Sequence, residues 1–360
     1  MVNASEEILS AFAKLYFFEE LVHDSLQFTP TESCEKEVAD LLLNLGDVIV
    51  AIQLKWRNDK SATDSEAKEI KWLGKKCKDA KSQVKESIGY IRSGTLPAFS
   101  NGRNQSISLN SDAKIIPLVI FMNKGIKKYD HVLRKHSEDG MDINCLSFED
   151  FQKMCEALIT PIEIVEYLEW RLQFYENNGP VDFMMYEAAD GTVTFTKPKN
   201  NEALAYQFLA EEYGIQQSQE LEMYIQAFRD FLHRLPEHTV VKSEEIADYE
   251  MVRFFAHFNR QEIKPFIERL HLAVDKAYNA EYGMIGSLRN VLRKYLVVFT
   301  SSKYGNGFPM EYLLEVAPNG DEVLRLLQLV IYWENDVEYR VDFHFCDFTR
   351  KERNFLGGKR

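Results

Sequence analysis

The chain has no apolar run long enough to cross a bilayer. The longest extends from Ile115 to Met122, whereas a membrane-spanning helix needs about 20 apolar residues. The first residues have no basic start, and Lys14, Glu19 and Glu20 interrupt their apolar stretch, so we expect no signal peptide. The sequence therefore predicts a cytoplasmic protein that does not have a membrane as its partner.

Cysteine is scarce, and its spacing argues against a disulfide framework or a zinc site. No two of the 5 cysteines are spaced as CxxC, and the 8 histidines show no spacing typical of metal ligands. We therefore expect reduced thiols. The cysteines are Cys34, Cys77, Cys145, Cys155 and Cys346.

Several familiar catalytic motifs are also missing. The chain has no GxxxxGK(S/T) phosphate loop, no HExxH zinc motif and no GxSxG nucleophile elbow. The net charge of -13 argues against a protein that coats nucleic acid non-specifically, because phosphate binding needs local positive charge. A basic patch on an acidic body would still suffice for an enzyme that acts on nucleic acid.

What is present is enough apolar material for two folded domains. The chain has 360 residues, of which 45% are hydrophobic, so each half can form its own core. A break predicted at Asn177-Asn178-Gly179-Pro180 divides it into domains at 1–178 and 179–360. The second half begins with helical patterns and then has strand-like runs, which predicts an α+β domain. These runs lie at 295–300, 312–316 and 329–348.

The role of the C-terminal domain is open. No catalytic motif appears beyond the break, so we expect this domain to serve target choice, control or association with a second copy or another protein. The alternative is a lid that completes the core of the first domain.

Residues 37–55 predict two strands joined at Gly46-Asp47, a turn-forming dipeptide. If those two residues form the loop, Leu45 lies opposite Val48; a longer loop centred on the same turn would keep the same faces. One face of the hairpin is apolar throughout: Leu41, Leu43, Leu45, Val48, Val50, Ile52 and Leu54.

The other face of the hairpin gathers an acid, an amide and an ammonium group. Asp40 lies opposite Gln53 in this register, and paired residues project to the same face. Lys55, two residues further, projects there too. An Asp–Lys pair at a strand end is often only a solvated contact worth about 0–1 kcal/mol, so both interpretations stay open at this point.

A long helix over 64–92 follows the hairpin. Its apolar stripe contains Ile70, Leu73, Cys77, Ala80, Val84, Ile88 and Ile91. We call the opposite side the lysine face: Lys68, Lys71, Lys75, Lys78 and Lys85. From Lys55 to Arg92 there are 11 basic and 6 acidic residues, a local excess of positive charge. Such a face either contacts phosphate groups or is simply solvated, and we weigh these two interpretations equally.

The remaining elements of the first half are a helix over 5–26, a polar loop over 99–112 and a buried strand at 118–122. Two further helices begin at Ser147 and Thr160, where the residues are typical of N-caps. The order before these two helices is therefore helix, strand, strand, long helix, strand.

In this order of elements, Asp40 and Gln53-Leu54-Lys55 resemble the PD-(D/E)xK nuclease superfamily. That family places an aspartate on its second core strand and an (E/Q)xK tripeptide on its third. The resemblance covers about residues 1–135. It implies an α/β fold class, with a restriction-endonuclease-like core of helix, β-hairpin, helix and strand followed by the α+β domain.

The resemblance also implies further site residues. A glutamate of the first helix often joins the site in that family, and Glu19 or Glu20 is the match here. Branches like the RecB nuclease carry a glutamine on the helix after the tripeptide, which Gln83 resembles. Gln83 and the lysine face would then contact the nucleic acid.

The activity implied is hydrolysis of phosphodiester bonds, in DNA more than in RNA, with Mg²⁺ or Mn²⁺ as cofactor. Asp40 and Gln53, with Glu19 or Glu20, would hold the ion, and Lys55 would lie near the scissile phosphate. The chain is also similar to bacterial proteins linked to phage defence or mobile elements. The alternative is a non-catalytic nuclease fold that serves as a scaffold or binds nucleic acid.

Overall fold

In the computed structural model, the chain forms two compact units. The first contains Met1–Gln216 and Val252–His257, and the second contains Gln217–Met251 and Phe258–Arg360. Among the described residues, no helix is both long and apolar enough to span a membrane. Those residues are 4–24, 26–31, 34–57, 65–100, 106–126, 131–134, 142–178, 184–187, 193–196, 201–214, 218–234, 247–290, 293–317, 322–333 and 338–347.

The first unit alternates helices and strands. In chain order they are α1 (Ala4–Phe17), β1 (Val22–Asp24), β2 (Gln27–Thr31), β3 (Cys34–Glu37), β4 (Leu41–Asn44), β5 (Val48–Trp56), α2 (Glu66–Ser93), β6 (Phe99–Ser100), β7 (Ser106–Ile107), β8 (Lys114–Met122), β9 (His131–Arg134), β10 (Asp142–Ser147), α3 (Phe148–Ala157), α4 (Pro161–Asn178), β11 (Met184–Glu187), β12 (Val193–Thr196) and α5 (Asn201–Tyr213).

A six-stranded mixed sheet in the order β1-β4-β5-β8-β10-β9 forms the centre of this unit. The first three of these strands form an antiparallel meander. β8 then runs parallel to both β5 and β10, and β9 closes the far edge antiparallel to β10. The chain therefore has the mixed α/β character that the sequence predicts.

The first helix is shorter than predicted. It ends at Phe17, because Phe18 takes a positive φ of 62°, a conformation that a helix interior does not accept. After a 3-10 turn over Glu19–Leu21, the chain enters β1, where Val22 pairs with Leu43. The helix predicted over 5–26 is thus wrong beyond Phe17.

The hairpin has the predicted two-residue register. Leu41 pairs with Ile52, and the Leu45 amide donates to the Val48 carbonyl at 2.9 Å. Gly46 has φ 96°, which glycine tolerates best. The loop is therefore Gly46-Asp47.

Residues 252–257 hold this turn in place. The Arg253 Nε donates to the Leu45 carbonyl at 3.2 Å, and its guanidinium lies where a side chain at Gly46 would project. His257 Nε2 lies 2.8 Å from an Asp47 carboxylate oxygen. Asp47 therefore has a structural role in the turn.

The helix predicted over 64–92 is present as α2, but its buried stripe differs at two positions. Ile70 is 42% exposed and Ile88 is half-buried, whereas Glu69 and Ser87 are buried. The spacing of the buried residues is regular for a helix. They are Glu69, Leu73, Cys77, Ala80, Val84, Ser87 and Ile91.

The first unit extends beyond the boundary predicted at 178. α4 continues through Asn178, and the predicted Gly179-Pro180 lies outside the described residues. α5 then packs onto α4, where the Phe208 ring lies 5.7 Å from both Tyr167 and Trp170. Because α5 completes this aromatic cluster, the compact unit divides from the next one after Gln216.

The second unit contains a helical block and a four-stranded sheet in the order β13-β14-β15-β16. Within it, the run predicted as a strand at 312–316 is a helix, which brings Leu313 against Leu296 and Leu326; a short apolar run does not distinguish the two. The elements are α6 (Gln219–Arg234), α7 (Ala247–Ala256, whose last turns belong to the first unit), α8 (Arg260–Tyr278), β13 (Gly283–Asn290), β14 (Tyr295–Ser301), α9 (Met310–Val316), β15 (Arg325–Trp333) and β16 (Tyr339–Asp347).

Candidate active site at the end of the central hairpin

Asp40, Gln53 and Lys55 come together at the end of the hairpin opposite its turn. Lys55 Nζ lies 3.4 Å from Gln53 Oε1 and 3.9 Å from Asp40 Oδ2. The same Asp40 oxygen accepts the Leu54 backbone N–H at 2.6 Å. β5 extends past the start of β4 here, so the Asp40 side chain accepts from an amide beyond the last residue that pairs with β4.

Burial dominates the electrostatics of the Asp40–Lys55 pair. Their side chains are 17% and 11% exposed. Burial raises the pKa of Asp40, although Lys55 and the Leu54 amide act to lower it. Burial likewise lowers the pKa of Lys55 despite the attraction of Asp40. A pair whose charged forms are both disfavoured is typical of functional sites more than of surface contacts.

Two further acids lie near Asp40, and the sequence analysis did not identify either. The negative charge of Glu6, in the first turn of α1, acts to raise the pKa of Asp40. The pKa of Glu37 is raised by burial and then by the charges of Asp40 and Glu6. The acid contributed by the first helix is therefore Glu6.

Glu19 and Glu20 do not join this group. β1 pairs Val22 with Leu43 and Asp24 with Leu41, so the 3-10 turn over Glu19–Leu21 precedes β1 at the turn end of the hairpin, near Leu45. Asp40 precedes Leu45 by five residues, about 17 Å at the rise of a strand. The sequence pattern suggested the end of the first helix for this acid, whereas the charge that acts on Asp40 comes from Glu6 in its first turn.

The helix α2 brings Lys76 to the site, and not Gln83. The charges of Lys76 and Asp79 influence the pKa of Lys55, and Lys76 Nζ pairs with Asp79 Oδ2 at 3.4 Å. Gln83 is exposed and lies two turns further on, about 10 Å along the helix from Lys76. The signal for Lys76 was its place beside the apolar stripe.

The lysine face lies on the exposed side of α2. Lys68, Lys71, Lys75 and Lys78 are exposed, and Lys85 is half-buried.

The thiols of this region are reduced: Cys77 Sγ contacts Cys145 Sγ at 3.7 Å, and neither forms a disulfide.

Asp40 and Gln53 are the residues of this group that could hold a cation. Among the described residues, no three His, Cys, Asp or Glu side chains are grouped to hold an ion. Mg²⁺ is commonly held by one or two carboxylates, with water and substrate phosphate as its other ligands. Asp40 provides one close carboxylate and Gln53 a neutral oxygen, while Glu6 and Glu37 add negative charge.

A cavity of about 190 Å³ opens beside the site, between the first turn of α1 and α2. Both Lys55 and Lys76 contribute to its wall, so the cavity adjoins the Asp40–Lys55 pair. Its lining residues are Ser5, Glu6, Leu54, Lys55, Trp56 and Lys76.

A buried glutamate fixes α2 on the sheet next to this cavity. Glu69 is fully buried. It accepts from Arg57 Nε at 3.0 Å and from Asn123 Nδ2 at 2.9 Å, and these two residues follow β5 and β8. Glu69 therefore ties the start of α2 to the ends of the two central strands.

We expect Glu69→Ala to lower the free energy of unfolding by about 3 kcal/mol, because removing one partner of a buried ion pair leaves the other uncompensated. Urea denaturation measures the change. Glu66→Ala, at an exposed position in the same first turn, is the control and should cost no more than about 1 kcal/mol. Equal losses in both variants would contradict a structural role for Glu69.

Comparison with known proteins leaves the site to be interpreted from its own geometry. The relevant features are a half-buried acid–lysine pair, an adjoining cavity and a mostly exposed lysine face. The chain matches no protein family, no curated protein and no solved structure.

Proposed function

We propose that the protein is a Mg²⁺-dependent nuclease that hydrolyses phosphodiester bonds of DNA, with Asp40 and Lys55 at its centre. The observation that carries this proposal is the 3.9 Å approach of Lys55 Nζ to Asp40 Oδ2, with Gln53 beside them, at a partly buried strand end. Such a pair contributes little to stability, so a chemical role accounts for it better.

The order of elements supports the proposal. β1, β4 and β5 form a meander after α1, and α2 then leads to β8, parallel to β5. Asp40 directly precedes the second of these strands, and Gln53 and Lys55 lie near the end of the third. This order supports the proposed resemblance to the PD-(D/E)xK superfamily, in which β1 would be the first strand, one that the sequence pattern did not reveal.

Each residue has a role suited to its position. Asp40 and the carbonyl oxygen of Gln53 would hold Mg²⁺, which when bound neutralises phosphate charge and acidifies water. The Lys55 ammonium, held next to both, would stabilise the charge that develops on the phosphate oxygens. Glu6 and Glu37 would keep the site negative enough to attract a cation.

An assay on labelled DNA and RNA strands, with Mg²⁺, Mn²⁺ or EDTA, tests the proposal. Metal-dependent cleavage of DNA is expected. The rival function is a binding scaffold, and the observation in its favour is that Lys55 already partners Asp40. Calorimetric titration with Mn²⁺ distinguishes the two: an enzyme shows saturable binding that Asp40→Asn removes, and a scaffold shows none.

The lysine face should supply phosphate contacts. We expect Lys71→Gln, Lys75→Gln and Lys78→Gln together to weaken DNA binding and to reduce its dependence on log salt by about 2–3 units, since each contact releases about one counterion. Fluorescence anisotropy over a salt series measures both quantities.

The matched control removes three positive charges from another part of the chain. Lys264, Lys276 and Lys303 belong to the second unit, and their replacement by glutamine should leave the slope within about half a unit of the wild type. If both triple variants flatten the slope equally, the lysine face is an ordinary solvated surface and net charge alone explains the binding.

A further inference from the structure

Trp56 presents an aromatic surface at the cavity beside the candidate site. It is the last residue of β5, directly after Lys55, and it is 43% exposed. A large apolar ring at the mouth of a cavity is a costly residue to leave in water. Trp56 and Lys55 both line this cavity, so Trp56 adjoins the site where a phosphate would be cleaved.

The first turn of α1 contributes polar residues to the cavity. Ser5 and Glu6 of α1 both line the cavity. Ser5 is only 4% exposed, so the half-buried Glu6 carboxylate is the acceptor that a ligand would meet on this side.

The size and chemistry of the cavity fit one nucleobase. At about 190 Å³ it is smaller than the roughly 300–1,000 Å³ pockets of drug-sized ligands. An aromatic face stacks on any base, and a carboxylate accepts hydrogen bonds from base edges. Lys76 at the rim would contact the phosphate that follows the base.

We propose that this cavity holds an unpaired base next to the cleaved phosphate, so that the substrate is single-stranded DNA. The inference rests on the nuclease proposed above and adds the form of its substrate. A paired base inside a duplex is stacked and cannot enter such a cavity unless it is extruded, which costs a few kcal/mol. Single strands enter without that cost.

Binding of a short fluorescein-labelled single strand in EDTA, measured by anisotropy, tests the proposal without cleavage. The wild type should bind the strand about tenfold or more tightly than the blunt duplex of the same sequence. Trp56→Ala should lose about tenfold in affinity for the strand, and Trp56→Phe should keep most of it, because the stacking surface remains. Tyr304→Ala, at another exposed aromatic residue, should bind as the wild type does.

A second comparison locates the base. Strands with one abasic position, moved along the sequence, should weaken wild-type binding most at one position, and that loss should disappear in Trp56→Ala. Equal affinity for strand and duplex, or an abasic effect unchanged by Trp56→Ala, would overturn the proposal. A single RNA strand bound more tightly than DNA would also overturn it.

The outcomes separate this proposal from the proposed function. Trp56-dependent strand binding without metal-dependent cleavage would retain the base site and reject the nuclease. Cleavage that Asp40→Asn removes and Trp56→Ala leaves unchanged on both strand and duplex would retain the nuclease and reject the base site. Circular dichroism melting confirms that each variant is folded before it is assayed.

Discussion

Asp40→Asn is expected to slow DNA cleavage about a thousandfold while the protein stays folded. The substitution keeps the oxygen that accepts the Leu54 amide at 2.6 Å, but it removes the negative charge that would hold the cation. Losses of 10²- to 10³-fold are typical when one electrostatic contact to the transition state is removed, and a metal ligand is worth at least as much. Single-turnover cleavage at saturating Mg²⁺ measures the effect.

Linkage explains why the asparagine variant should remain stable. Since burial raises the pKa of Asp40, the folded protein binds that proton more tightly than the unfolded chain does. Stability therefore falls as the pH rises from the ordinary value of 3.8 through the raised pKa, and the cost is fully present above that raised pKa. Asparagine carries no charge and avoids this cost, which offsets the loss of the attraction to Lys55.

The pH profile of the wild type should be bell-shaped and narrow. Cleavage needs ionised Asp40, whose pKa is raised, and protonated Lys55, whose pKa is lowered. The acid limb then lies above 3.8 and the alkaline limb below 10.5. Lys55→Met, which keeps the buried aliphatic stem, should slow cleavage as strongly as Asp40→Asn. Full activity in either variant would remove the pair from the proposed mechanism.

The hairpin was predictable because its information is local. Gly46-Asp47 selects a two-residue loop, and loop length fixes the register, so Asp40, Gln53 and Lys55 were placed on one face without knowledge of the rest. β1 was not predictable in the same way. Its three residues are too few for a periodic pattern, and only pairing with β4 makes them a strand.

The contribution of α1 depends on long-range topology. Glu6 reaches Asp40 because the chain leaves α1 at the turn end of the hairpin, so that the start of the helix lies at the other end. Nothing in the local sequence reveals this direction. The buried face of α2, in contrast, could be predicted from the local sequence, because Glu69, Leu73 and Cys77 are spaced by fours. A glutamate at that position of an apolar stripe was a readable signal of a buried ion pair.

The boundary of the first unit leads to the second large expected effect. A fragment ending at residue 178 should fail to fold, whereas a fragment ending at 216 should melt cooperatively. The shorter fragment lacks α5, whose Leu204, Phe208 and Leu209 are each no more than 1% exposed. Burying a large apolar side chain stabilises by about 1.5–3 kcal/mol, so three of them approach the 5–15 kcal/mol of a whole domain.

The comparison of the two fragments isolates α5, because both lack Arg253 and His257, which hold the hairpin turn. Without α5, the faces of Tyr167 and Trp170 that contact Phe208 would be exposed to water, and the fragment should be insoluble or should lose near-ultraviolet circular dichroism. Thermal melts of the two purified fragments decide the question. If residues 1–178 melt as cooperatively as residues 1–216, α5 is dispensable and the first unit ends where the sequence pattern placed its boundary.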